Sequence, residues 1–462
     1  MKKNRFVPPV LVLIFFLSSS VSSALPSEVP AKGGVNAVAP RNDTDSRHIF
    51  SGEDGTQREQ HDADPLDAAG RGAASVNGFA FDFYKELIRG KDGYNVLFSP
   101  LSISLGFGMF HLGCDAQGKE ILNDIFHYGP QSHDDISNLT RSLKKSSKKG
   151  NVFEPANMLW ASDKVKIPYW YLNISNKYYR QGMKRLDFTD APQAVSIIND
   201  WIEKNTRGQI KDSIDGNDLP VPTDFVLTNT IYFLGRWASP FDPSFTSKGE
   251  FFNDTSQSRM FRKKKKPTML FPLPESDDAD PNALPPMELD MMYQKGEFLY
   301  LERENFQAVR LDYESDSSMV VLLPGELDGI SALEAEMDHA SFKKILSEME
   351  PLEILLYMPK FTYNVNYKDI MDRLDALSGP LPVVKSIRFL GVFSLGAVLH
   401  QANITVDESG TEAAAGTVVV GGISSSGSHP PIFSADHPFL YFIIDNKTAA
   451  IMFMGRFTAK NQ

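Results

Sequence analysis

The order of secondary-structure patterns constrains this fold more than any other feature of the chain. Early in the sequence, Ala80, Phe83, Tyr84 and Leu87 recur with the spacing of an amphipathic helix. Later, residues 225–234 are rich in β-branched and aromatic side chains, a composition typical of a strand. Further strands are predicted at residues 319–323, 354–358, 441–444 and 451–454. Helical patterns come first and strand patterns follow, which predicts an α+β protein.

The composition indicates a chain held together by an apolar core. It has 462 residues, of which 42% are hydrophobic, and this length is enough to bury a large core. A single cysteine excludes an internal disulfide and a cysteine-cluster zinc site. With 47 basic and 58 acidic residues, the net charge of −11 makes the chain a poor candidate for binding DNA or RNA.

The N-terminus has the three regions of a secretory signal peptide. Lys2, Lys3 and Arg5 form a basic start, residues 10–17 form a short apolar run, and small residues follow. The apolar run is shorter than the roughly 20 residues that span a bilayer. Residues 1–24 are therefore predicted to be the signal peptide of a soluble exported protein, which is extracellular, or periplasmic in a bacterium. An uncleaved N-terminal anchor is the alternative.

The rest of the chain is predicted to comprise an extension and one folded domain. Residues 25–75 contain few aromatic residues and many Gly, Pro, Asp and Ala, which predicts a disordered extension. The single domain is predicted to cover residues 76–462, with an exposed inserted loop at 253–290. A basic run in that loop consists of Arg262, Lys263, Lys264, Lys265 and Lys266. This run could contact a polyanion, be cut by a protease specific for paired basic residues, or simply be solvated.

Enzyme motifs in the sequence are incomplete or missing. Residues 113–119 approach the pattern of a phosphate-binding loop, but Glu120 stands where a Mg²⁺-binding hydroxyl is needed. The sequence has no His-Glu-x-x-His zinc motif and no Gly-x-Ser-x-Gly nucleophile motif. Cys114 would need a nearby histidine and an electropositive setting to react, and it is predicted to be a packed thiol. We therefore predict that the chain is not an enzyme and uses no cofactor or metal.

A segment near the C-terminus carries the most specific pattern. A strand-like run at residues 404–406 leads toward a flexible Gly- and Ser-rich stretch at 421–428. Between them lie Glu408, Ser409, Gly410, Thr411, Glu412, Ala413, Ala414, Ala415 and Gly416. This block resembles the hinge of the serpin family, and residues 433–439 and 453–456 resemble the family's C-terminal signature. The resemblance extends from about Val76 to the end of the chain.

The resemblance implies both a fold and a mechanism. The serpin fold packs helices on a large central β-sheet, with two further sheets and an exposed reactive-centre loop, which would here occupy residues 408–438 together with the hinge. A protease attacks this loop as a substrate. After the acyl bond forms, the loop inserts into the central sheet as a new strand. The protease is carried along and its catalytic site is distorted, so that hydrolysis stalls.

The residues after the hinge turn are suited to becoming a buried strand. Alternation along a strand places five small or β-branched residues on one face, namely Thr411, Ala413, Ala415, Thr417 and Val419. Glu412 falls on the other face, where its charge can remain in water. No proline occurs at residues 410–428, so no backbone donor is missing. A flexible loop that never inserts is the alternative.

The resemblance also implies two groups of residues that control entry of the strand. The family's shutter, under the centre of the sheet, corresponds to Ser99, Ser102, Asn229 and His400. The breach, at the top of the sheet, corresponds to Gly235, Trp237, Lys360 and Glu408. We expect His400 to hydrogen-bond Asn229 or a serine hydroxyl, and we expect an ion pair between Lys360 and Glu408. Loss of that pair should favour premature insertion or polymerisation.

The loop composition predicts the kind of protease that attacks it. Residues 408–438 contain no Lys or Arg, which disfavours trypsin-like pockets with a buried carboxylate. Family spacing counted from Glu408 places the cleaved bond at Ile423–Ser424, which we favour, or at Ser424–Ser425. Counting back from the C-terminal signature places it near Gly427–Ser428. The apolar residues in this part of the loop suit elastase-like, subtilisin-like or chymotrypsin-like pockets.

The sequence therefore predicts a secreted suicide-substrate inhibitor of serine endopeptidases. Its partner would be a protease held in a covalent complex, with a polyanion as a further candidate partner at the basic loop. We expect a monomer that binds neither nucleic acid nor membrane. One alternative is a non-inhibitory serpin that carries a small ligand or acts as a chaperone. Another is cross-class inhibition of papain-like cysteine proteases.

Overall fold

A computed structural model of the chain describes residues 65–90, 93–146, 152–179, 182–220, 222–253, 286–378, 386–388, 392–411 and 430–460. The α-helices in this part of the chain are α1 (Pro65–Ile88), α2 (Pro100–Gly113), α3 (Ala116–Phe126), α4 (Ser132–Ser146), α5 (Tyr169–Tyr179), α6 (Ala191–Asn205), α7 (Ile330–Glu336), α8 (His339–Glu348) and α9 (Ile370–Ser378). The strands are β1 (Val96–Phe98), β2 (Val152–Ser162), β3 (Gly182–Leu186), β4 (Phe225–Arg236), β5 (Ser247–Phe251), β6 (Met287–Glu302), β7 (Phe306–Asp312), β8 (Ser317–Pro324), β9 (Glu350–Pro359), β10 (Phe361–Tyr367), β11 (Ser386–Arg388), β12 (Val392–Asp407), β13 (Gly410–Thr411), β14 (Ile432–Ser434), β15 (Phe439–Asp445) and β16 (Ile451–Phe457).

These strands form two sheets. The seven-stranded sheet has the order β10-β12-β13-β4-β2-β3, and β11 pairs with β12 beside this path. The nine-stranded sheet has the order β1-β16-β15-β8-β7-β6-β9-β14, with β5 paired to β6. In the described chain, the long strand β6 pairs with β5, β7 and β9, and it thereby joins the two smaller sheets of the expected fold into one. The α+β class is confirmed.

The apolar core lies between the sheets and the helices that cover them. Strands β15 and β16 are buried at every position, because they carry aromatic and aliphatic side chains on both faces. Helix α2 is almost entirely buried, which agrees with its nearly continuous apolar sequence. Its first turn is fixed by Pro100 and by the Ser99 hydroxyl, which accepts the Ser102 N–H at 3.2 Å. This N-terminal turn brings the backbone of α2 to the seven-stranded sheet.

The prediction that residues 25–75 are entirely disordered is wrong at its C-terminal end. Helix α1 begins at Pro65, and Ala69 and Ala73 are buried in its first turns. A Cβ atom at Gly72 would lie 2.7 Å from the carbonyl oxygen of Asp135, so the glycine lets α1 pass close to α4. The small residues that suggested disorder therefore permit close helix packing.

The predicted inserted loop at residues 253–290 also ends too late. Strand β6 begins at Met287, which pairs with Phe251, and Asp290 pairs with Lys248. The last four residues of the predicted loop are thus part of a sheet. Their strand pattern is masked in the sequence by two acidic residues that lie on its exposed face. Among the described residues, no helix is both long and apolar enough to cross a membrane.

Candidate functional site

The seven-stranded sheet contains a partly open seam between its two central strands. Strands β4 and β12 pair in parallel up to the position where Ile231 faces Ala402. Beyond that point, β13 lies between them and pairs with both in antiparallel fashion. Thr411 of β13 faces Gly235 on one side and Val406 on the other. The hinge thus already supplies the first residues of a strand at the top of this seam.

A tight turn at residues 407–410 reverses the chain from β12 into β13. The Asp407 carboxylate accepts the N–H groups of Ser409 at 2.8 Å and Gly410 at 3.2 Å. Trp237 holds the same turn from outside, because its backbone N–H donates to the Ser409 carbonyl at 3.0 Å and its indole N–H donates to the Asp407 carbonyl at 2.9 Å. These four backbone groups of the turn are therefore satisfied by fixed partners.

Two glycines make this arrangement possible. Gly410 has a φ of +153°, and a Cβ atom there would lie 2.0 Å from the carbonyl oxygen of Gly235. A Cβ atom at Gly235 would lie 2.7 Å from the ring of Tyr313. The side chain of Thr411 then points into the core, where its hydroxyl lies 2.7 Å from the Tyr313 hydroxyl. This orientation determines which face of a longer strand would be buried.

The breach residues come together at the top of the seam, as the sequence predicts. Lys360 Nζ lies 2.8 Å from Glu408 Oε2, and the hydroxyl of Thr246 donates to Glu408 Oε1 at 2.8 Å. Burial opposes the charge of Glu408, but the hydrogen bonds from Lys360 and Thr246 outweigh it and hold the pKa of the carboxyl below its ordinary value. The ring of Trp237 stacks on Tyr313 with centroids 4.6 Å apart. The predicted ion pair is present.

The shutter residues meet lower in the same seam. The predicted hydrogen bond between His400 and Asn229 is confirmed, through His400 Nδ1 and Asn229 Oδ1. Ser99 contributes its backbone N–H, which donates to His400 Nε2 at 3.2 Å, rather than its hydroxyl. This acceptor role leaves the ring proton on Nδ1. Burial lowers the pKa of His400 to about 3, so the ring is neutral at physiological pH.

One member of this cluster was not predicted from the sequence. Asn157 of β2 accepts a hydrogen bond from the Asn229 amide, and its own amide donates to the Ser102 carbonyl at 3.3 Å. Asn157 and Asn229 face each other across the β2–β4 ladder. The only signal in the sequence is an amide side chain inside an otherwise apolar strand. Ser102 reaches the cluster through its backbone, since its hydroxyl has no partner within the described chain.

Several predicted site residues lie outside the described residues. These are hinge residues Glu412, Ala413, Ala414, Ala415 and Gly416, reactive-bond residues Ile423, Ser424 and Ser425, and basic residues Arg262, Lys263, Lys264, Lys265 and Lys266. The described residues contain no group of three or more His, Cys, Asp or Glu side chains placed to hold a metal ion. Burial raises the pKa of the Cys114 thiol to about 12, which argues against a reactive thiolate.

Comparisons with known proteins agree with this geometry. The family profile described as Serpin (serine protease inhibitor) matches residues 74–275 and 282–459. This chain is a serpin. Serpins generally inhibit proteases, although some members do not.

Its relatives span archaea and animals. An uncharacterised serpin-like protein of Thermococcus kodakarensis is 31% identical over 393 residues, which cover 83% of this chain and 84% of that protein. Human Serpin B3 is 29% identical over 410 residues, which cover 82% of this chain and 97% of that protein. The crystal structure of human thyroxine-binding globulin matches with a TM-score of 0.69 and 22% identity, covering 84% of this chain and 98% of that chain. This last likeness shows the serpin fold alone.

Proposed function

We propose that this serpin is a secreted suicide-substrate inhibitor of serine endopeptidases that prefer apolar residues. The observation that carries the proposal is β13, which begins a strand between β4 and β12. In the proposed reaction, the protease serine oxygen attacks a loop carbonyl carbon and the peptide C–N bond breaks. The amine leaves as a new N-terminus, and the acylated loop continues the strand that β13 has begun.

The register of β13 supports the insertion of the residues that follow it. If the same pairing continues, Ala415 comes between Ala402 and Ile231, and Thr417 comes between His400 and Asn229. These positions share the inward direction of Thr411, and their side chains are small or β-branched. Glu412 would project to the opposite face. Insertion then has to break the bond between His400 and Asn229, because a full strand separates the two residues.

Insertion exchanges one parallel ladder for two antiparallel ladders. Each new backbone hydrogen bond contributes about 0.5–1.5 kcal/mol, which offsets the cost of about 1–2 kcal/mol for ordering each inserted residue. A barrier is nevertheless present before cleavage, because the breach and shutter bonds close the seam. The loop supplies this strand only when cleavage frees its end, which couples proteolysis to the conformational change.

The specificity proposal rests on the loop sequence. Residues 408–438 carry no Lys or Arg, so the carboxylate of a trypsin-like pocket would remain unpaired. We favour cleavage at Ile423–Ser424, with Ser424–Ser425 and the region of Gly427–Ser428 as the other positions. Export through residues 1–24, contact of residues 262–266 with a polyanion, and a monomeric state are further parts of this proposal. N-terminal sequencing of the exported protein tests the first of these.

The deciding experiment mixes the full chain with elastase, subtilisin, chymotrypsin, trypsin and papain. We expect a complex that resists denaturing electrophoresis with at least one of the first three enzymes, and a released C-terminal peptide whose mass locates the cleaved bond. The Thr411→Arg variant is the matched control, because a charge at this buried position should block insertion and turn the inhibitor into a substrate.

Three other outcomes would change the proposal. A complex with papain alone would support cross-class inhibition. A complex with trypsin alone would overturn the apolar specificity. Cleavage without any complex, and without a gain in heat stability, would favour a non-inhibitory carrier or chaperone.

A further inference from the structure

Two histidines pack against each other where four helices meet. His111 lies in the last turn of α2 and His133 in the first turn of α4, and His111 Nδ1 is 3.0 Å from His133 Nε2. The outer nitrogens also have partners. His111 Nε2 lies 2.9 Å from Asn123 Oδ1 of α3, and His133 Nδ1 is bonded to the hydroxyl of Tyr179 in α5. One chain of hydrogen bonds therefore joins all four helices.

Every nitrogen in this chain of bonds has a partner when both imidazole rings are neutral. If Asn123 accepts from His111, then His111 Nδ1 accepts from His133, and His133 Nδ1 accepts from the Tyr179 hydroxyl. Turning the Asn123 amide over reverses every bond and again leaves one N–H on each ring. One added proton can be accommodated on His133 Nδ1, which then donates to the Tyr179 hydroxyl oxygen instead of accepting from it. A second added proton would place two N–H groups face to face.

The surroundings of the pair also oppose protonation. Burial, followed by the charges of His111 and Lys119, lowers the pKa of His133 to about 4. Burial lowers the pKa of His111 too, and the bond to Asn123 only partly offsets this effect. The other facing groups are neutral rings, with Tyr128 edge-on to His111 at 5.5 Å and Tyr178 beside His133 at 5.5 Å. No carboxylate raises the pKa of either histidine.

The helices that carry this pair lead directly into one side of the central sheet. Helix α4 ends at Ser146 and β2 begins at Val152, while α5 ends at Tyr179 and β3 begins at Gly182. Strands β2 and β3 lie on the β4 side of the seam. A Cβ atom at Gly108 of α2 would lie 2.3 Å from the Tyr179 hydroxyl, so α5 is seated tightly against α2. Release of α4 and α5 would free β2, β3 and β4 to move away from β12.

We propose that His111 and His133 form an acid-sensitive latch that holds α4 and α5 against α2. When α4 and α5 are released, both rings reach water and bind protons at their ordinary pKa. Mildly acidic solution therefore favours the released form, which loosens the β4 side of the seam and speeds strand insertion. The effect on insertion rests on the proposed inhibitory function, whereas the effect on folding stability does not. The direction follows from linkage. The unfolded chain binds protons near the ordinary histidine pKa and the folded chain does not, so stability is lost as the pH falls below about 6.5.

The first measurement is urea unfolding of the full chain between pH 7.5 and pH 4.5. Each proton taken up on unfolding raises the unfolding equilibrium constant about tenfold for each pH unit of acidification. We expect the His111→Gln, His133→Gln double variant to take up about one to two fewer protons on unfolding than the wild type. The contribution of buried His400 persists in both proteins. His127→Gln serves as a control for replacing a histidine elsewhere, because its side chain is 45% exposed, and His133→Phe replaces the double variant if that protein does not fold.

The second measurement is the rate at which a synthetic peptide with the sequence of residues 411–424 enters the seam, detected as a gain in heat stability. We expect the wild type to take up the peptide about tenfold faster at pH 5 than at pH 7.5, and the double variant to show less than a threefold change. If the unfolding equilibrium of the double variant depends on pH as steeply as that of the wild type, the latch is overturned. If the pH dependence of unfolding is reduced but the double variant still takes up the peptide about tenfold faster at pH 5, the link between the latch and insertion is overturned. If no peptide is taken up at any pH and the pH dependence of unfolding is reduced, strand insertion is rejected and the latch affects stability only.

Discussion

The ion pair between Lys360 and Glu408 ties the hinge to the connection between the two sheets. Lys360 stands between β9 and β10, Glu408 directly follows β12, and their charged atoms lie 2.8 Å apart. The Glu408 side chain is only 11% exposed, whereas that of Lys360 is 37% exposed. The backbone carbonyl of Glu408 also accepts the N–H of Phe241 at 2.9 Å. The residue from which the inserting strand would hinge is therefore held at both its side chain and its backbone.

Glu408→Gln should destabilise the protein by about 1 kcal/mol, since a charge-assisted bond is lost but Lys360 remains well solvated. The pKa of Glu408 is lowered in the folded protein, so this contribution is present above about pH 5 and disappears on further acidification. Urea unfolding at pH 7 and pH 4 measures both effects. Glu353→Gln is the control, because its pair with Lys295 is more exposed and should contribute less. Equal losses for the two variants would argue against the special role of Glu408.

Gly410→Ala should be one of the most damaging small substitutions in the chain. The new methyl group would overlap the carbonyl of Gly235, and we expect a loss of about 2–4 kcal/mol or displacement of β13 from the seam. Gly70→Ala is the matched control, since Gly70 lies within α1 with open space around it and should gain up to about 1 kcal/mol. Thermal unfolding compares the two variants. A neutral Gly410→Ala would mean that the hinge turn is absent in solution.

Asn157→Ala should weaken the shutter, because Asn157 accepts a hydrogen bond from Asn229, which in turn is bonded to His400. Removal of its amide leaves the buried Asn229 amide without its acceptor, at a cost of about 1–3 kcal/mol. The same change should speed uptake of the 411–424 peptide. Asn305→Ala removes an exposed amide that bonds Glu336 and should change neither property measurably. Slower uptake in Asn157→Ala would contradict this assignment.

Glu334→Ala tests the most deeply buried ion pair among the described residues. Arg456 Nη1 lies 2.8 Å from Glu334 Oε1, and their side chains are 3% and 5% exposed. Loss of the carboxylate removes the negative charge beside a buried guanidinium, so we expect destabilisation of about 3–5 kcal/mol. Lys211→Ala breaks a solvent-exposed pair with Glu203 and should leave the free energy of unfolding almost unchanged. Similar midpoints of urea unfolding for the two variants would refute the expectation that the buried pair contributes more to stability than the exposed pair.

Several core strands were predictable from the sequence, because their apolar composition agrees with their burial in the structure. The predicted strand at residues 225–234 lies within β4, and the run at 451–454 lies within β16. Both segments are mostly apolar and are buried on two faces, and such segments have few structures available other than a buried strand. The expectation for the hinge had a different basis, namely the resemblance of residues 408–416 to the serpin motif.

The misplaced boundaries and unpredicted contacts depend on neighbours that are distant in sequence. Helix α1 begins earlier than predicted because Gly72 meets α4, a contact that no local pattern reveals. The partnership of His111 with His133 requires α2 and α4 to pack together, and that of Asn157 with Asn229 requires the register of β2 against β4.

The sequence by itself determined the class of fold, the family and the chemical character of the loop, since these follow from local apolar patterns and from a contiguous motif. Only the tertiary structure decided that Thr411 already pairs on both sides, that His400 is a neutral acceptor for Ser99, and that two histidines share one hydrogen-bond chain. The physical reason is that burial and hydrogen-bond direction are properties of a packed environment. A side chain acquires that environment only when strands and helices from distant parts of the chain come together.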